Sequence, residues 1–111
     1  MAKRRPWDGG EYPKRLEHVV WKVIEGKGIL LNLESGAYFE VGPVGLSIWQ
    51  KCDGRNSSRA IVRSVAREFG AGSERVQRDF LAFSVELRRR ELLEFSPAPS
   101  AGEAAVPKRT R

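Results

Sequence analysis

The chain has 111 residues, of which 41% are hydrophobic and 31% charged, with a formal net charge of +6. That length suits one domain with a modest core, and no apolar run approaches the roughly 18 residues that a membrane span needs, so a membrane-spanning protein is excluded. A single cysteine, Cys52, and a single histidine, His18, exclude an internal disulfide and a Cys/His transition-metal site.

The basic excess sits at the ends. Residues 1–15 carry five Lys/Arg against two acids, residues 96–111 three against one, and residues 16–95 twelve against eleven, leaving +3, +2 and +1. Residues 1–17 hold Pro6, Gly9, Gly10 and Pro13, and residues 96–111 read SPAPSAGEAAVPKRTR, with almost nothing to bury. Both stretches are therefore expected to be disordered, solvated tails around a domain over residues 18–95. No apolar stretch follows the charges of Met-Ala-Lys-Arg-Arg-Pro-Trp, so no secretory signal is expected and the cytoplasm is the expected compartment.

The first predicted strand runs from Val19 to Ile24. Apolar residues of both parities suggest heavy burial, and Glu25-Gly26-Lys27-Gly28 supplies the following turn. Gly26-Lys27-Gly28 lacks the Gly-x-x-x-x-Gly-Lys-Ser/Thr spacing of a phosphate-binding loop. Period-two alternation at Ile29, Leu31 and Leu33, and again at Ala37, Phe39 and Val41, predicts two more strands around a turn at Glu34-Ser35-Gly36.

Pro43 ends the sheet and opens a first helix, with Val44, Ile48 and Trp49 at helical spacing and Asp53-Gly54 as its stop. On this helix Cys52 reads as a packed small residue rather than a reactive thiol. A second helix from about Ser58 to Phe69, capped by Ser57 or Ser58, places Ile61, Val62, Val65 and Phe69 inward and ends at Gly70-Ala71-Gly72. A third, capped by Ser73, continues through Arg90. Leu92, Leu93 and Phe95 then form a short apolar segment before Pro97. The expected class is α+β and winged-helix-like, a three-stranded antiparallel sheet followed by three helices.

At about 100° per residue, Val76, Phe80, Phe83 and Leu87 of the third helix share one face and are expected in the core. Leu81 and Val85 fall on the opposite side together with Arg78 and Arg88. Arg75, Arg89 and Arg90 read as a solvated face. Two accounts fit the outer ridge: a helix buried on two sides, or an apolar groove wall rimmed by guanidiniums, suited to an acidic-hydrophobic peptide. No catalytic constellation emerges, because Cys52 has no base and the helix-end carboxylates Glu91 and Glu94 suit solvent. A non-enzyme without metal or cofactor is expected.

Several motifs together carry a family resemblance over about residues 19–95. They are Ile29-Leu30-Leu31-Asn32, Gly36-Ala37-Tyr38-Phe39-Glu40-Val41, Val44-Gly45 followed by Ile48-Trp49, Asp53-Gly54, the set Val76, Asp79, Phe80, Leu81 and Leu87, and Leu92-Leu93. With these the chain resembles the PqqD-like family, the RiPP precursor recognition elements. It departs from the family pattern at Val41-Gly42-Pro43, where many relatives have an Asn after the third strand. The resemblance implies a peptide chaperone for the leader segment of a ribosomally made precursor peptide, which it presents to a modifying enzyme such as a radical-SAM protein or a leader peptidase. It also implies that the leader adds as a strand along Ala37, Tyr38, Phe39 and Glu40, with Arg78, Leu81, Val85 and Arg88 as the opposite wall.

A rival reading is a winged helix-turn-helix transcriptional regulator, its third helix offering Ser73, Arg75, Gln77 and Arg78 to DNA. Glu74 and Asp79 flank that face and the folded core carries only +1, which argues against nucleic acid as partner.

Overall fold

The structure, a computed structural model, describes residues 7–100. Five strands and three helices follow one another as β1 (Tyr12–Arg15), β2 (Val19–Ile24), β3 (Lys27–Asn32), β4 (Tyr38–Val41), α1 (Pro43–Lys51), α2 (Ser58–Phe69), α3 (Ser73–Arg89) and β5 (Leu93–Ser96). β2, β3 and β4 form an antiparallel sheet in sequence order, and β1 pairs separately with β5. The three-stranded sheet and three helices expected from the sequence are thus present, and a second, two-stranded sheet is added to them.

Local chemistry explains the boundaries. Pro43 opens α1, where its missing N–H costs nothing. The Ser57 hydroxyl accepts from Ala60 N at 3.1 Å and caps α2, and Gly70, at φ 61°, closes it in the left-handed conformation. Ser73 is the first residue of α3 rather than its cap; Gly72 takes the cap position, with no side-chain bond. At the other end Glu91, at φ 59°, turns the chain out of α3, and Leu92 N reaches back to Leu87 O at 2.9 Å.

The core lies where α1, α2 and α3 meet the inner face of the sheet, around Trp49, Phe80, Leu30, Ile48, Ile61 and Leu87. Phe69, expected on the inner face of α2, is 40% exposed, because it sits in the last turn before Gly70. Three further expectations need correction. On β3 the buried residues are Gly28, Leu30 and Asn32, so Ile29 and Leu31 point outward and Leu33 is 59% exposed. Gly28 is buried because a Cβ there would lie 2.9 Å from both Leu46 and Val41, so the sheet approaches α1 where no side chain intervenes. The second correction concerns β2, an edge strand: Val20 and Ile24 are exposed on the outer face, which no element among the described residues covers, and Trp21 and Val23, on the inner face, are exposed as well because β2 has a neighbour on one side only among those residues. On the inner face, opposite Asn32 and Leu30, Val19 packs against the core and Trp21 stands edge-on to Trp49.

Third, Tyr12–Arg15 is no tail. Pro13 is buried opposite Phe95, Arg15 Nη1 donates to the carbonyls of Trp49 and Gln50 at 2.9 Å, and Ser58 N and Oγ both donate to Glu11 O. The domain therefore begins before residue 18. Of the two expected tails, residues 1–6 and 101–111 lie outside the described residues.

Candidate functional site

Among the described residues β4 has a neighbour on one side only, since it pairs with β3 and with no other strand. The register places Leu30 opposite Phe39 and Leu31 opposite Tyr38. Beyond the strand end, Asn32 N donates to Ala37 O at 2.9 Å, which marks 32/37 as a hydrogen-bonded pair of the ladder. Bonded and non-bonded pairs alternate in antiparallel sheets, so Phe39 and Val41 bond to β3. The N–H and C=O groups of Tyr38 and Glu40 are then directed to the free edge. Tyr38 and Glu40 extend their side chains over the outer face, Tyr38 being 68% exposed, while Phe39 and Val41 face the helices.

One flank of α3 stands beside this edge. Phe39 stacks on Phe83 with centroids 6.4 Å apart, and the Arg90 guanidinium lies 4.3 Å from the Phe39 ring centre. Arg90 Nε also donates to Glu86 Oε2 at 3.0 Å. Asp79, Phe83, Glu86 and Arg90 follow one another at spacings of four, three and four, so they line a single flank. A small recess at its end is bounded by Asn32, Ala37, Tyr38, Phe39, Arg90 and Leu92. Toward the start of α3, a cavity of about 220 Å³ opens among Val44, Val65, Phe69, Val76 and Ala71, with Arg75 and Asp79 at its rim.

Asn32 ties the strands to this helix. Its Oδ1 accepts from Glu34 N and Ser35 N at 2.9 and 3.1 Å, which holds the turn before β4. Its Nδ2 donates to the carbonyls of Arg90 and Glu91, and His18 Nε2 lies 2.9 Å from the same Glu91 oxygen. One buried amide thus satisfies both the turn and the open carbonyls at the end of α3.

The expected site residues divide. Ala37, Tyr38, Phe39 and Glu40 are together on or beside the free edge. Leu81, Val85 and Arg88 lie across α3, where they line a different cleft of about 600 Å³, closed on its far side by Trp7, Asp8 and Glu11. Arg88 stacks there on Phe95, 5.2 Å from the ring centre. Arg78 belongs to the exposed face between the flanks. Phe83 and Glu86 complete the wall that β4 faces, together with Arg90, which the sequence reading left to solvent. A spacing signal existed: Glu86 and Arg90 sit four apart on the flank that carries Phe83.

Cys52 offers no nucleophile to this surface. It is fully buried, and burial pushes its thiol up from 9.0 to about 12, with Arg15 pulling less strongly downward. Among the described residues, no group of three His, Cys, Asp or Glu side chains gathers as metal ligands would. No helix of the described residues is long and apolar enough to cross a membrane.

Comparisons with known proteins bear on this geometry. The family described as coenzyme PQQ synthesis protein D (PqqD) matches residues 27–93. A solved structure, TbiB1 in complex with the TbiA(beta) leader peptide, superposes with a TM-score of 0.67 at 32% sequence identity, covering 73% of this chain and 94% of that one. No curated protein sequence matches.

Proposed function

Since the chain belongs to the PqqD family, we propose that it is a non-catalytic module that captures the leader segment of a ribosomally made precursor peptide by strand addition to β4. The single observation that carries this reading is the free β4 edge beside the Phe83 and Arg90 flank of α3. Two residues present unpaired backbone donors and acceptors there, which gives affinity independent of sequence, while the flank supplies side-chain selectivity. The similar structure TbiB1 is itself in complex with a leader peptide. The held leader is handed to a modifying enzyme, such as a radical-SAM protein or a leader peptidase. Leu81, Val85 and Arg88 stay outside this contact.

Calorimetric titration tests the reading. The full chain is titrated with synthetic leader peptides from neighbouring short reading frames, beside a DNA duplex, at two salt concentrations. Saturable peptide binding that survives moderate salt is expected, and Glu40→Pro should weaken it at least about tenfold, because it removes an edge N–H and puts a ring in the path of the incoming strand. Peptide affinity untouched by Glu40→Pro would remove β4 as the site. Duplex binding that collapses with salt, without peptide binding, would overturn the reading itself.

A further inference from the structure

Arg90 differs from the other exposed arginines of α3 in being held twice, by an aromatic ring and by a carboxylate, where Arg88 has only the Phe95 ring and Arg89 only Glu86. Its guanidinium is stacked on Phe39 and tied through Nε to Glu86, so its plane is fixed at the free β4 edge. Its two η-nitrogens make no hydrogen bond among the described residues. Glu86 is shared, with Arg89 Nη1 at 3.7 Å from Oε1 and Arg90 Nε at 3.0 Å from Oε2, so two guanidiniums stand against one carboxylate. Glu40, the acid on β4 itself, projects over the opposite face of the strand from Phe39. A planar fork of donors in a fixed orientation, with local excess positive charge, is the arrangement that accepts a carboxylate through two parallel bonds.

We infer that Arg90 selects leaders that carry an Asp or Glu on the helix-facing side of the added strand. The inference rests on strand addition to β4. Successive side chains of an added strand alternate faces, so only every second leader residue points to the Phe39 side, and one of these comes level with the guanidinium. A carboxylate there completes the Arg89, Glu86 and Arg90 cluster. An amide cannot accept from the fork with the same strength, and a lysine on the leader would meet like charge. Glu40, on the other face, disfavours acids at the intervening leader positions, so the acidic requirement is confined to one parity.

The test is a display selection of random short peptides on the full chain, keeping only binders that are lost on Glu40→Pro. The wild-type protein is expected to enrich Asp or Glu at one position. A selected peptide should then lose about tenfold in affinity when that acid becomes its amide, and about tenfold on Arg90→Met, with little further loss when both changes are combined. Arg90→Lys should recover only part, because an ammonium keeps the charge but not the stacked fork. Thermal melts check that the variants remain folded. Binders that depend on β4 but show no acidic position, or an amide penalty equal on wild type and Arg90→Met, would overturn the inference and leave strand addition standing. Peptide binders insensitive to Glu40→Pro would overturn strand addition and the inference with it.

Discussion

Asn32 is the residue on which the candidate site most depends, because its one amide satisfies two backbone N–H groups before β4 and two carbonyls at the end of α3. Asn32→Ala would leave those groups unpaired in a buried position, and a loss of about 2 to 4 kcal/mol in unfolding free energy is expected from urea titration. Phe80, 1% exposed, should cost about 3 to 5 kcal/mol when cut to alanine. Val85→Asp, at a position 57% exposed, should stay within about 0.5 kcal/mol of wild type. If Val85→Asp unfolds the protein and Phe80→Ala does not, the faces of α3 are misassigned. Cys52 gives a pH signature. Its folded pKa, about 12, lies above the unfolded 9.0, so its contribution to stability is whole below pH 9 and is lost as pH rises toward 12. Cys52→Ala should flatten that part of the stability profile, and the folded wild type should resist thiol reagents at pH 8. The inward residues of α3 were legible in the sequence, as the helical period requires. The double duty of Asn32 was not, because its partners Arg90 and Glu91 are 58 and 59 residues away along the chain.

At the scale of elements, the sequence is legible where one rule acts alone. β2 and α2 have the bounds that alternation, the Ser57 cap and the Gly70 stop imply. β3 was read with the wrong parity because Gly28-Ile29-Leu30-Leu31 offers apolar or neutral residues on both faces, and only packing against Leu46 and Val41 selects the glycine face. β1 was missed because Pro13 counts against a strand, although a strand edge tolerates proline and the pairing partner lies at the far end of the domain. Arg15 bonds the last carbonyls of α1 and lies over both Trp21 and Trp49, at 5.7 and 5.9 Å from their ring centres. Arg15→Ala is therefore expected to lower stability by about 2 kcal/mol, read as a shift of the urea midpoint. No shift would mean that β1 is an ornament on a domain that begins at residue 18.

For the whole molecule, binding and stability are one measurement. A leader that binds only the folded chain should raise its unfolding free energy by about 2.7 kcal/mol at a hundredfold excess over Kd, visible as a rise in Tm, and a DNA duplex should leave Tm in place. Unchanged Tm at saturating peptide would contradict a fold-dependent site. The charge distribution belongs to this scale too, since a net +6 that leaves only +1 on residues 16–95 suits a peptide module better than a duplex binder. By itself the sequence determined the order of β2, β3, β4 and the three helices, the inner face of each helix apart from Phe69, and the family resemblance, because these depend on periodicity, caps and turns within a few residues. Tertiary structure alone decided which parity of β3 is buried, that β1 closes on β5, and that α3 meets β4 through Phe83 and Arg90 rather than through Leu81 and Val85. Those outcomes depend on contacts between distant segments, where a helix with apolar residues on two sides can be docked in more than one rotation and only the packing of its neighbours selects among them.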